Sequence, residues 1–203
     1  MVSVPPAEGP AVTIRLATIA DLARIADIHR LAYSRSHFTA LLPHAVLVRY
    51  YGAFLGDGTR ISVGLGPDGT VNGFAVYGTG IPKKIAAFKA ACARDILLTS
   101  LRHPWMSARK ALKAVWARIN PRRPMTPADF LLLSIAVDPD ARGMGSVLLR
   151  AVLEAAQREG RHTVGLYVNE DNARAIASYR RSGFHNLELY DGQYYMEAAV
   201  PAA

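Results

Sequence analysis

The spacing of apolar and polar positions marks out a run of short elements along the chain. Val12–Leu16 alternates apolar and polar residues, the period of a half-buried strand. Thr18 stands as a helix N-cap with Asp21 at the capping-box distance, where Glu or Gln is more usual. Leu22, Ile25, Ala26 and His29 then form a helical stripe that ends near Ala32. Ser34–His44 reads as a loop. Ala45–Leu55 reads as a second, buried helix stopped by Gly56, Asp57 and Gly58. Arg60–Leu65 and Thr70–Tyr77 read as a hairpin around Gly66-Pro67-Asp68-Gly69. Phe130–Val137 is a continuous apolar run, which suits a central strand buried on both faces.

The C-terminal third continues in the same way. Gly145–Glu159 carries Val147, Leu148, Ala151, Val152 and Ala155 at helical spacing and stops at Gly160. Thr163–Val168 is a strand, and Asn172–Ser182 is a helix closed by Gly183. Phe184–Tyr190 and Gln193–Ala199 form a hairpin about Asp191-Gly192, a strong two-residue turn signal. The order predicts an α/β fold with one mixed sheet flanked by helices. Residues 12–203 are expected to form a single domain, after a flexible leader at 1–11.

Composition narrows the class. Of the 203 residues 51% are apolar, enough for a sizeable core. The single cysteine, Cys92, excludes an intramolecular disulfide and a cysteine-based metal site, and its place in an apolar stripe points to packing. The six histidines show no ligand spacing, so no metal is expected, and His29 reads as a helix-face residue. No apolar run reaches the ~18 residues of a membrane span. The N-terminus has neither the basic nor the apolar region of a signal peptide, and the expected address is the cytoplasm.

The formal charge of +8 is unevenly placed. From Ile81 to Thr126 eleven Lys and Arg accompany one acid, so the excess sits in this insert and the rest is slightly acidic. Ile85, Phe88, Cys92, Ile96 and Leu97 lie at helical spacing, and so do Trp105, Ala108, Leu112, Val115, Trp116 and Ile119. Pro121 and Pro124 follow. Three readings of 81–126 stay open. The helices pack beside the sheet and wall an acceptor pocket; or they meet an anionic surface or acidic substrate; or they meet nucleic acid, for which a basic patch alone is weak evidence and no recognised fold accompanies it. No nucleic-acid partner is expected.

Candidate chemistry concentrates in Val137–Ser146, VDPDARGMGS, between the buried strand and an amphipathic helix. Gly143 and Gly145 leave backbone N–H groups free to converge, and the helix N-terminus adds its positive dipole end. Such a turn suits a diphosphate, with Arg142 as a fixed charge; a plain tight β–α turn is the alternative. Asn172, Ala175 and Tyr179 stand at i, i+3 and i+7, on one helix face. Asn172 is placed to cap that helix or to reach a ligand amide. Tyr179 is either a packing phenol or a proton donor to a leaving thiolate.

Together, Val137-Asp138-Pro139, the glycine turn, and Asn172-x-x-Ala175-x-x-x-Tyr179-x-x-x-Gly183-Phe184 resemble the GNAT superfamily of acyl-CoA-dependent N-acyltransferases. The resemblance is strongest over 130–199 and follows element order over 12–77. The family's loop reads Gln/Arg-x-x-Gly-x-Gly/Ala. Anchored on the helix, Asp140 takes the first position, with Gly143 and Gly145 following. Anchored on the strand, Arg142 takes it, Gly145 comes next, and Val147 replaces the last glycine. The loop is about two residues shorter than is common.

The resemblance implies a GNAT-like, mostly antiparallel central sheet, with the basic insert between the third strand and the central strand. It implies acetyl-CoA or another acyl-CoA as co-substrate and a small-molecule primary amine as acceptor. The backbone of Ile135, Ala136 and Val137 would pair with the pantetheine arm. The N–H groups of Arg142, Gly143, Met144, Gly145 and Ser146 would hold the pyrophosphate. Asn172 and Ala175 would face the arm, and Tyr179 would protonate the thiolate. Attack by the amine would be direct. For the general base Asp129, Ser134, Glu197 and a water chain all stay open. A segment within His37–Leu55 resembles a subgroup associated with amino-sugar acceptors. A non-catalytic acyl-CoA sensor, a peptide or protein N-acetyltransferase, and a homodimer are the remaining alternatives.

Overall fold

A computed structural model describes residues 12–33, 37–105, 128–141, 143–190 and 192–201. The N-terminal leader, Arg142, Asp191 of the closing turn, and the second insert stripe after Trp105 with Pro121 and Pro124 lie outside the described residues.

Seven strands form one sheet: β1 (Thr13–Leu16), β2 (Thr59–Leu65), β3 (Val71–Gly78), β4 (Phe130–Val137), β5 (Thr163–Asn169), β6 (His185–Tyr190) and β7 (Gln193–Ala199). Their order is β1-β2-β3-β4-β5-β7-β6. Every neighbouring pair is antiparallel except β4 and β5. The described helices are α1 (Leu22–Ala32), α2 (His44–Gly52), α3 (Ile81–Ala91), α4 (Ala93–Arg102), α5 (Met144–Arg158) and α6 (Ala173–Arg181). The hydrophobic pattern implies such a mixed sheet, and the family resemblance implies its mostly antiparallel pairing.

The central strands are apolar throughout because both of their faces are covered. On β3, Phe74 and Val76 join the core shared with α1, α2 and α3, while Ala75 and Tyr77 join the core under α5. On β4, Leu131 faces the first core, and Phe130 and Leu132 face the second. Tyr51, Phe54, Phe74 and Phe130 are among the largest fully buried side chains. Each contributes on the order of 1.5–3 kcal/mol by leaving water. Met144, the first residue of α5, runs beneath the sheet; a Cβ added at Gly73 would lie 2.8 Å from its Sδ and 3.2 Å from the Ala136 carbonyl. That close approach of helix to strand requires glycine at 73.

Some elements differ from the sequence reading. The segment 34–44 contains a 3-10 turn at Phe38–Leu41. The helix after Thr18 opens with a 3-10 turn, Ile19–Asp21. The first insert stripe is divided at Cys92 (φ −112°, ψ 21°) into α3 and α4. Phe88 and Cys92 face inward at this break, where α3 packs on α2 through Phe88 and Tyr50, with ring centroids 5.0 Å apart.

Asp21 ties the first strand to α1. Its carboxylate accepts two bonds from Arg15 (2.7 and 2.8 Å) and bonds from the Thr18 backbone N–H (2.7 Å) and hydroxyl (3.0 Å). The Arg15 guanidinium first, and then the Thr18 donors, overcome the opposing effect of burial and hold the Asp21 pKa well below the usual carboxylate range. A group depressed in this way stabilises the fold above its unfolded pKa of ~3.9 and loses that contribution as pH falls through the folded value. Asp21→Asn is expected to cost about 1–2 kcal/mol at neutral pH. The gap to wild type should close progressively below about pH 4. Denaturant melts across pH measure both.

Candidate active site

The site begins with a parting of strands. β4 and β5 pair only from Phe130–Leu132 to Val164–Leu166. Beyond Leu132 they separate, while β4 stays bonded to β3 as far as Val137. The register against β3 shifts between Val76 and Tyr77, leaving Leu133 as the extra residue of a bulge at the point where the strands part. Leu133–Val137 therefore has β3 along one edge and no strand along the other. Polar backbone at such an edge takes a partner from water or from a ligand.

A cleft of about 970 Å³ lies in this gap. Its floor is β4 from Leu132 to Val137, and α5 and α6 stand at one end. Asp138 fixes the turn leaving β4. Its backbone N–H donates to the Asn72 carbonyl (2.7 Å), and its carboxylate accepts from Arg24 of α1 (2.7 Å), which also donates to the Val71 carbonyl (2.9 Å).

Gly143 then adopts φ +82° as the N-cap of α5, a conformation that side chains resist. The Ser146 hydroxyl folds back to the Gly143 carbonyl (2.8 Å), and Gly145 lines the cleft. A Cβ built at Gly145 would meet only Val137 Cγ2, at 3.7 Å. The first-turn N–H groups of α5 have no carbonyl below them in the helix, and the helix dipole ends there. The turn thus fits a diphosphate group. Gly143 and Gly145 take the two glycine places of the helix-anchored motif register.

Ile135, Ala136, Val137, Gly143, Gly145, Ser146, Asn172, Ala175 and Tyr179 all line this one cleft. The Met144 side chain is buried in the core, so that residue has only its backbone to offer. Arg142 lies outside the described residues. The Asn172 side-chain oxygen accepts from the Ala175 N–H (3.2 Å) and so caps α6, the first of its two sequence readings. Tyr179 is half-buried against Phe184, with centroids 5.8 Å apart. Burial, and then nearby Tyr33, push its phenol above the ordinary tyrosine value, so it carries its proton at neutral pH.

The far end of the cleft is aromatic. The Tyr33 ring stacks on His29 (4.3 Å) and meets His37 edge-on (5.3 Å). Its hydroxyl is 2.8 Å from Ser134 Oγ and also takes part in a backbone hydrogen bond with Ile135, beside the open edge of β4. His29 Nδ1 is 2.6 Å from the Tyr51 hydroxyl. Burial, and then His37, lower the His29 pKa to about 4, so the ring is neutral at neutral pH. The Asn169 side chain joins His37 (3.1 Å) to Gln193 (2.9 Å) across the opening.

His29, which sequence placed on a helix face, therefore belongs to the wall of the cleft. Tyr33 was not singled out in the sequence; its one signal is the i, i+4 relation to His29 on α1. Of the side-chain base candidates only Ser134 lines the cleft. Asp129 is exposed before β4, and Glu197 accepts a hydrogen bond from Tyr195. Among the described residues no group of three or more His, Cys, Asp or Glu is arranged to hold a metal ion. The described part of the basic insert lines none of the cleft.

Comparison with known proteins matches residues 111–184 to the model of the acetyltransferase (GNAT) family. Over that stretch, less than half of its length, the chain resembles the GNAT family. The matched stretch runs through β4, the glycine turn, α5, β5 and α6, which line one end of the cleft. A mycothiol acetyltransferase of Clavibacter michiganensis is 48% identical over 62 residues, 30% of this chain and 20% of that relative. The chain thus spans only about a fifth of the length of that relative. Among solved structures, a GNAT superfamily phosphinothricin acetyltransferase from Sinorhizobium meliloti, in complex with AcCoA, has a TM-score of 0.60 at 18% identity, covering 93% of this chain and 88% of that one. Ard1 from Thermoplasma volcanium has a TM-score of 0.59 at 19% identity, covering 95% and 99%. At these identities the structures speak for the fold. Among the described residues no helix is long and apolar enough to cross a membrane.

Gly145→Glu tests the cradle. Its Cβ has room, so the melting temperature of the free protein should stay within a few degrees of wild type. Its carboxylate would stand against the ligand's phosphates. Acetyl-CoA in thermal-shift titration is expected to stabilise the wild type and leave the variant unmoved.

Proposed function

We propose that this chain is a GNAT-type enzyme that transfers an acetyl group from acetyl-CoA to a primary amine by direct attack. The observation that carries the reading is the unpaired edge of β4 from Leu133 to Val137, leading to the first turn of α5. An extended amide-bearing arm fits that edge as an added strand, and its diphosphate reaches the N–H groups of Gly143–Ser146. Acetyl-CoA supplies an activated thioester.

The protein's part is positioning and charge management. A backbone N–H of β4 near the Leu133 bulge polarises the thioester carbonyl. The aromatic end, with Tyr33, Tyr50 and Tyr51, holds the acceptor beside it and limits water. The amine attacks as its neutral form; the new C–N bond forms, the C–S bond breaks, and the amine's surplus proton leaves to solvent. Tyr179, kept protonated by burial, gives its proton to the departing thiolate and regains one from solvent. No covalent bond to the enzyme forms, and Cys92 is buried away from the cleft beneath α4.

The acceptor is a small primary amine. Its identity does not follow from the mycothiol acetyltransferase relatives. The family match begins at residue 111, whereas His29, Tyr33, Tyr50 and Tyr51 lie before it. Thiol release measured over amines, amino sugars and N-terminal peptides tests the activity. Acetyl-CoA binding without thiol release on any acceptor would favour a sensing module.

Tyr179→Phe is expected to lower kcat about 100-fold and leave the KM for acetyl-CoA nearly unchanged. Wild-type turnover in that variant would remove Tyr179 from the proton-donor role.

A further inference from the structure

Helix α4 carries apolar side chains outward as well as inward. Its inward side carries Cys92, Ile96 and Thr99. Cys92 and Thr99 are buried, and the Thr99 hydroxyl is satisfied only by donating back to the Asp95 carbonyl (2.8 Å). Its outward side carries leucines: Leu97 is 58% exposed, Leu98 43% and Leu101 67%, and Trp105 just beyond is 75% exposed. Leu97 and Leu101 stand at i and i+4 with Leu98 beside them, so the three share a face of α4, and Trp105 follows just beyond the helix end at His103. Isolated exposed leucines are ordinary, but a contiguous apolar patch marks an interaction surface.

The surroundings of that face are basic. Lys83, Lys84 and Lys89 on α3 and Arg94 and Arg102 on α4 are joined by a single acid between 81 and 105, Asp95. Asp95 is itself paired with Arg49 of α2 at 3.3 Å. Lys84 donates to the Gly56 carbonyl (2.6 Å) and fastens α3 to the body. Lys83, Lys89, Arg94 and Arg102 are exposed.

We propose that α4 with Trp105 is a docking surface for an anionic lipid bilayer. The occupant has to satisfy leucines and cations together. Nucleic acid meets the cations but offers no apolar surface to three leucines and a tryptophan. A second copy meeting the same face across a twofold axis would set Arg94 and Arg102 against their own kind. An anionic membrane interface meets both demands. The leucines and the indole enter the boundary between headgroups and acyl chains, and the flanking Lys and Arg stay among the anionic headgroups. Because Phe88 of α3 packs on Tyr50, which lines the cleft, docking brings the acceptor end of the cleft near the lipid surface. The docking proposal does not depend on the catalytic reading.

The test is co-sedimentation of the full chain with phosphatidylcholine vesicles, with and without phosphatidylserine, at low and raised salt. Binding is expected only with phosphatidylserine, weakening as salt rises. Tryptophan emission should shift to the blue on binding, by less in Trp105→Phe. The double variant Leu98→Glu/Leu101→Glu should lose binding by more than tenfold. Its melting temperature without vesicles should match wild type, because both positions are exposed. Arg94→Glu/Arg102→Glu should lose binding likewise.

Several results would overturn the proposal. One is no binding to either vesicle; another is equal binding to both. A melting temperature that drops in the leucine variant would mean that the face is covered within the chain. A dimer in wild type that the leucine variant dissolves, without vesicle binding, would assign the face to a second copy.

Discussion

The cleft depends on β4 losing β5 as a hydrogen-bonding neighbour after Leu132 while keeping β3. A sheet that stayed paired to its end would bury its backbone groups and leave no gap. Here the gap opens in the middle of the sheet, so its walls are rigid strands and helix ends. Leaving the edge of Leu133–Val137 without a neighbouring strand, apart from the Tyr33 hydroxyl at Ile135, would be costly in a dry interior and is tolerated beside a wet cleft. The same separation places the start of α5 and one face of α6 on a single opening, which is why Gly145 and Tyr179 line a common space.

The electrostatic character of the opening follows from its two ends. At one end the α5 N-terminus presents backbone donors, held in place by Gly143 and by the anchoring of Asp138 to Arg24. At the other, burial keeps the phenols of Tyr33, Tyr50 and Tyr51 protonated and the His29 imidazole neutral. In the proposed reaction an anionic diphosphate and an uncharged amine would each find a matching end. Arg24–Asp138, a partly exposed pair, matters here through the geometry it imposes on the turn more than through ion-pair energy.

Sequence pattern made the element order and the glycine-turn end of the cleft legible, because both rest on local signals. Gly143 and Gly145 read as leaving backbone N–H groups free to converge, and Asn172, Ala175 and Tyr179 read as one helix face. The parting of β4 from β5 leaves no such signal, since Phe130–Val137 is apolar along its whole length whether paired or open. Tyr33 gathers its partners from α1, β4 and the segment at His37, contacts distant in sequence. The insert is instructive in another way. Helical spacing groups Ile85, Phe88, Cys92, Ile96 and Leu97 into one stripe, but spacing does not say which side faces in. The break at Cys92 keeps Phe88, Cys92 and Ile96 against the body and turns Leu97 outward.

The account's central claim is that the open edge of β4 and the first turn of α5 receive the acetyl-CoA arm. Residue-resolved amide hydrogen exchange with and without acetyl-CoA tests it most directly. Ligand should slow exchange at amides within Leu133–Val137 and Gly143–Ser146, with little change on β1 and β2. Unchanged exchange in both segments, with protection arising elsewhere at saturating ligand, would contradict it.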